Sequence, residues 1–308
     1  MMDSPYAYRE EIRAYTVIQL FVEKVRIHNA ILHIRSLPPD APEWQRNPSP
    51  EVILEINQHY IAAVEDELKQ RGIVFESSDC YVPFELPKQN TEKVKMLKKK
   101  LRRALKSLSA EEGYIVFGRY HVKGAPKNYD LENMLFYNIG PSAFTNCAKY
   151  GVGFGELKAN ETDPYQYCYQ IMSVKEAEQY FSALPVAAAW EKIELEQGEN
   201  KPGRYFDSLN KRKDLIYFQG TQIPCSFALR IHLNLQRKCN SASYMKAVLD
   251  GTICAFHTQN GHYLLGERVV RQQNGAWNPA DDRLKLCLIT VSYCNEKSSF
   301  SGKIYAMD

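Results

Sequence analysis

Acidic residues closely spaced in the chain, with a lysine-bearing helix elsewhere, are the chemistry most visible in this sequence. Asp130, Glu132 and Asn133 stand together where a polar stretch enters a helical pattern. Two acids at i and i+2 in such a place can converge on a hard divalent cation such as Mg²⁺, which takes oxygen ligands. The same residues suit a helix start, with Asp130 as N-cap and Glu132 and Asn133 near the positive end of the helix. A second acidic pair, Asp281 and Asp282, comes just before a strand, where it either reaches a cleft or sits in a turn. Lys246 and Asp250 share another helical stretch; a lysine there either neutralises a phosphate or leaving oxygen, or is a solvated charge.

Two stretches position these residues. Residues 115–144 and 227–256 each read as an alternating strand, a basic polar turn and a short amphipathic helix closing at a glycine, Gly251 in the second. The first copy carries Asp130 and Glu132 at its helix start, whereas the second has Asn240 and Ala242 there. Ahead of them the pattern is helical. Residues 8–36 predict one long helix, with Ile18, Phe21, Val22, Val25, Asn29 and Leu32 at helical spacing. Ser49 and Pro50 open a second helix that runs to Gly72, followed by a short strand at 73–75. Thr91 opens a third, with an apolar stripe of Val94, Leu97, Leu101, Leu105 and Leu108. The glycines of 149–157 lack a following GK[ST] and read as a strand with close backbone approach. A strand is expected at 165–174, a helix at 174–184, a helix or strand at 185–196, and a final strand at 284–294. The polar stretch 198–214 reads as a loop or domain boundary. The fold class is therefore α+β: a helical N-terminal region, 1–112, then a mixed α/β body of two strand-loop-helix units, 113–200 and 201–308.

The third helix is densely basic. Lys95, Lys98, Lys99, Arg102 and Lys106 fall on one side and form a ridge suited to nucleic-acid phosphates or another acidic partner, or to solvation alone. A net charge of +3 is too mild to identify a nucleic-acid binder by itself. Eight cysteines lack a CxxC pair and no secretory leader pattern precedes them, so the expectation is reduced thiols in a cytoplasmic protein. No run is apolar enough for a membrane span. Cys254, His257, His262, Cys287 and Cys294 fit no standard zinc spacing.

Residues 215–293 resemble the RusA-type Holliday-junction resolvases, whose pattern is a strand, then D-x-D-N-x-x-K-x-x-L-D, then a later acidic pair before another strand. Lys246, Leu249, Asp250 and Gly251 match the helix part, and Asp281 and Asp282 match the later pair. Asn240 and Ala242 replace the family's first two aspartates, and the gap before Asp281 is longer than in the pattern. The earlier copy has Asp130, Glu132 and Asn133 but Phe136 in place of the lysine, so the two copies are complementary. The resemblance implies a Mg²⁺-dependent endonuclease, with Asp130, Glu132, Asp281 and Asp282 at the metal and Lys246 as a catalytic residue. The expected partner is DNA or RNA, with a homo-oligomer or larger assembly left open. Two other functions remain in view: a non-catalytic nucleic-acid-binding or assembly subunit, and a sensor of a phosphorylated small molecule.

Overall fold

The computed structural model describes residues 5–15, 17–45, 47–71, 73–77, 92–122, 130–158, 165–219, 226–258, 279 and 281–307. The expected features at Gly72, Thr91 and His262, and the side chains of Ile18, Phe21, Val22, Val25, Asn29, Val94 and His257, lie outside that description. The described chain forms an α+β fold around a sheet of nine strands. In chain order the strands are β1 (Ile73–Ser77), β2 (Tyr114–Val122), β3 (Gly151–Lys158), β4 (Tyr165–Ser173), β5 (Val186–Glu194), β6 (Ile216–Phe218), β7 (Ser226–Leu235), β8 (Leu284–Tyr293) and β9 (Ser299–Met307). Their order across the sheet is β1-β4-β2-β3-β8-β7-β9-β5-β6.

The sheet is internally symmetric. At its centre β3 and β8 run antiparallel. Outward on one side, β2 lies parallel to β3, then β4 and β1 follow antiparallel. On the other side β7 lies parallel to β8, then β9 and β5 follow antiparallel. Each half is thus the same four-stranded module, and the β3–β8 seam lies on the pseudo-two-fold between them. Each parallel pair needs a crossover, because parallel neighbours cannot be joined by a hairpin. The first crossover contains the helical stretch 131–144 and the second contains α7 (Ser241–Thr258). β8, beside the seam, is apolar and buried on both faces over Leu286, Cys287, Leu288 and Ile289, as a strand covered on both sides there requires.

Alternation along the strands sorts the packing into two layers. Phe227, Leu229, Ile231 and Leu233 of β7 meet α7 and the 131–144 stretch. On the same face lie α4 (Glu92–Leu105), through Leu97, Leu101 and Leu105, and α6 (Pro202–Lys211), through Tyr205 and Leu209. The other face packs on α5 (Val174–Gln179) through Ala177, with Phe181 just beyond its end. On β4, next to the edge strand β1, Cys168 joins the apolar cluster of the N-terminal helices.

Several expectations change. The long helix of 8–36 is two, α1 (Pro5–Arg13) and α2 (Val17–Arg35). Arg71, at the end of α3 (Pro50–Gln70), donates to the backbone carbonyls of Tyr15 at 2.6 Å and Arg13 at 3.0 Å, satisfying the chain end that α1 leaves open. Leu32 is exposed, and among the described side chains of α2 Leu20, Ile27, Ile31 and Ile34 are buried. The stretch 198–214 is no mere loop, since it folds into α6 with Pro202 in the first turn and only Tyr205, Ser208 and Leu209 buried. β5 settles the reading of 185–196 as strand, and its partners β9 and β6 set it beside the second unit rather than the first. β8 is not final, because β9 follows it and fills the gap between β7 and β5.

Candidate metal centre

Asp130 stands where the first crossover enters its helical stretch. Its Oδ1 accepts the backbone N–H of Asn133 at 2.9 Å, and its Oδ2 accepts the Asn133 side-chain amide. The capping expected of Asp130 is therefore real. The stretch then widens into a π turn at Asn133–Tyr137, closed by the Asn138 N–H donating to the Asn133 carbonyl at 2.9 Å. Glu132 is buried, 3% exposed, and lies close enough to Cys287 of β8 for its charge to be felt there. Asp281 sits in the 3₁₀ turn that opens β8. Carboxylate oxygens of Asp130, Glu132 and Asp281 lie within 4.8 Å of one another, so capping and convergence coexist at Asp130.

The second unit supplies the rest. On α7 the Lys246 Nζ lies 3.3 Å from Glu132 Oε2 and 3.6 Å from Asp250 Oδ1. Lys246 also lies over the Tyr137 ring, 5.5 Å from its centroid. Four carboxylates thus face one ammonium. Burial raises the Glu132 carboxyl to about 8, with Lys246 opposing the shift. Burial also pushes Asp250 up to about 6, again against Lys246. Asp281 and Asp130 are hydrogen-bonded to each other; burial raises both, and the Asp130 charge raises Asp281 further. Burial lowers the Lys246 ammonium, but Glu132, Asp250, Asp130 and Asp281 together outweigh it and hold the group above its ordinary range. Asn133 Oδ1 is buried with no hydrogen-bond donor, and Asp250 Oδ1 meets only the Lys246 ammonium at 3.6 Å. A pocket with surplus acceptors and three converging carboxylates fits a small divalent cation held through oxygen. Among the described residues it is the one such group.

Comparison with protein-family models, curated proteins and solved structures finds no match to this chain. The resemblance at 215–293 accordingly rests on its motif residues.

Of the acids expected at a metal, Asp130, Glu132 and Asp281 come together, while Asp282 is not part of the group. Asp250 joins as a fourth carboxylate; its spacing of four from Lys246 on one helix face was the available signal. The basic ridge of α4 is not continuous. Lys98 is 8% exposed, and Arg102 donates its Nε–H to the Ile139 carbonyl at the end of the 131–139 turn. Lys95 pairs with Glu92 at 2.7 Å yet stays exposed, as do Lys99, Arg102 and Lys106 of the predicted row. Cys254 and Cys287 are buried core residues. No helix among the described residues is long and apolar enough to cross a membrane.

The mirrored place in the second unit is built differently. Asn240 Oδ1 accepts the Ala242 N–H at 3.1 Å, a local turn bond, while its Nδ2 donates to the Pro141 carbonyl of the first unit at 2.8 Å. Asn240 therefore ties one module to the other. Nor does α7 close at Gly251; it continues to Thr258. A Cβ on Gly251 would fall 2.9 Å from Tyr205 Cβ and closer still to the Pro202 carbonyl oxygen, so the glycine marks the crossing of α6 over α7.

Proposed function

We propose that this chain is a divalent-cation-dependent nuclease whose single acid site is assembled from both modules. The observation that carries the reading is the buried convergence of Asp130, Glu132 and Asp281, with Lys246 and Asp250 against it. Asp130 and Glu132 from the first module and Asp281 from the second would hold Mg²⁺. When bound, that ion supplies Lewis-acid activation of a phosphodiester and of the attacking water. Lys246 adds a cation to neutralise charge growing on the phosphate or leaving oxygen. Asp250, four residues on, holds that ammonium charged and oriented. The exposed Lys99 and Lys106 of α4, a helix packed beside the 131–144 stretch, add favourable charge for a nucleic-acid backbone.

A second reading, a nucleic-acid-binding subunit without catalysis, is favoured by one observation. Lys246 occupies the Glu132 carboxylate that a cation would need. One experiment separates the two. The protein is incubated with labelled branched, duplex and single-stranded DNA and RNA, with Mg²⁺ or EDTA, beside Asp130→Asn/Glu132→Gln. Cleavage that requires Mg²⁺ and disappears in the variant is the expected result. Salt-sensitive binding with no cleavage of any substrate transfers the reading to the binding subunit, and neither binding nor cleavage removes nucleic acid from the account.

A further inference from the structure

The opposite face of the sheet carries a second polar concavity. Alternation turns Arg230 and His232 of β7 away from α7, toward the side on which Ala228, Leu286 and Leu288 pack beneath α5. Beyond that apolar cluster the sheet is open, and a groove of about 970 Å³ lies over the ends of β7 and β8. That volume is in the range of small-molecule sites. Its floor is a ladder of hydrogen-bonding groups: the His232 ring lies 2.9 Å from Thr290 Oγ1 and 3.0 Å from Ser292 Oγ, and Ser292 donates to Asn234 at 3.1 Å. Burial, and then the charge of Arg230, lower the His232 ring from its ordinary value.

The walls are polarised. At one end the Tyr293 hydroxyl donates to the Lys149 carbonyl at 2.8 Å and accepts the Cys239 N–H at 3.3 Å, bringing two chain segments together. Lys149 and Lys238 therefore stand at the same end, both exposed, and neither pairs with a carboxylate among the described residues. At the α5 end are Glu112 and the Arg230–Glu178 ion pair. Paired lysines suit a doubly charged phosphate monoester as point charges. The hydroxyls, imidazole and carboxylates suit a body rich in hydroxyl and amino groups.

We infer that this groove binds a nucleotide through its terminal phosphate monoester, with the phosphate between Lys149 and Lys238 and the nucleoside over His232, Thr290 and Ser292. The ligand is either a free mononucleotide or the 5′ end of a strand. This site is on the opposite face from the acid centre and does not depend on its chemistry.

Calorimetric titration of the full chain with adenosine 5′-monophosphate, adenosine, inorganic phosphate and a short 5′-phosphorylated oligonucleotide tests it. Adenosine 5′-monophosphate or the oligonucleotide should bind at least about ten-fold more tightly than adenosine or inorganic phosphate. Binding by the first alone assigns a free nucleotide, and by the second alone a strand end. Lys149→Glu/Lys238→Glu should lose at least about ten-fold in affinity while melting like the parent. The inference is overturned if neither phosphorylated probe binds, if adenosine or inorganic phosphate binds as well as they do, or if the double lysine variant retains full affinity.

Discussion

Without a cation the acid centre should make the protein less stable as the pH rises, and Glu132 is the residue on which that can be worked through. Its carboxyl moves from an ordinary 4.5 to about 8 because burial penalises its charge. Above pH 4.5 the unfolded chain has released this proton while the folded protein still holds it, so stability falls with rising pH until about pH 8. One such group changes stability by about 1.4 kcal/mol per pH unit, so from about pH 5.5 to about 7.5 Glu132 alone costs ~3 kcal/mol. Asp281, raised to about 7, adds through most of that window, and Asp250, raised to about 6, only at its lower end. Lys246, also raised, acts with the same sign, but its contribution is lost only at high pH, outside the window. Urea denaturation at the two pH values in EDTA measures the difference. Glu132→Gln should remove about half of the slope, leaving the part that Asp281 and Asp250 supply, and Mg²⁺ should stabilise the parent more at the higher pH, where displacing the proton is easier. Equal or greater stability of the EDTA-treated parent at the higher pH would refute the reasoning, as would a full slope in Glu132→Gln.

Three further outcomes follow from the packing. Arg102→Ala should cost about 1–2 kcal/mol in denaturation because it leaves the Ile139 carbonyl unmet. Lys99→Glu/Lys106→Glu should leave stability within about 0.5 kcal/mol and instead flatten the salt dependence of duplex binding by roughly two phosphate contacts. Gly251→Ala should destabilise by about 1–3 kcal/mol, read as a lower urea midpoint at unchanged slope, because its methyl meets the Pro202 carbonyl and Tyr205.

Much of the architecture was legible because period and length survive in the chain. The strands at 114–122 and 226–235, the crossovers behind them and the Leu97, Leu101, Leu105 stripe of α4 all follow from alternation or helical spacing. α6 escaped because a ten-residue helix anchored by Tyr205, Phe206 and Leu209 leaves too little apolar pattern among its seven other residues. β9 escaped because Ser299, Ser301 and Gly302 dilute its alternation, while its place is set by β7 and β5, far away in sequence. Lys98 shows the limit for charge patterns: spacing put it on the ridge, but packing turned it inward. At the centre, the acids of 130–132 and 281 were visible as types, but only the fold brings residues about 150 apart within reach.

The modules match strand for strand around the seam, yet only the first carries the Asp130 and Glu132 pair and only the second the Lys246 and Asp250 pair. The reason lies in what the other positions now do. Phe136 occupies the motif place held in the second module by Lys246. It is fully buried, 4.7 Å from the Phe144 ring and 6.1 Å from Tyr169, where a lysine would bring an uncompensated charge into an aromatic core. Asn240 occupies the place of Asp130 and uses its amide to hold Pro141, a bond that a carboxylate could not donate. Each module thus has one half of the motif in packing and the other half at the acid centre. The two retained halves meet where Lys246 reaches Glu132, so a half chain would hold neither a complete core nor a complete site.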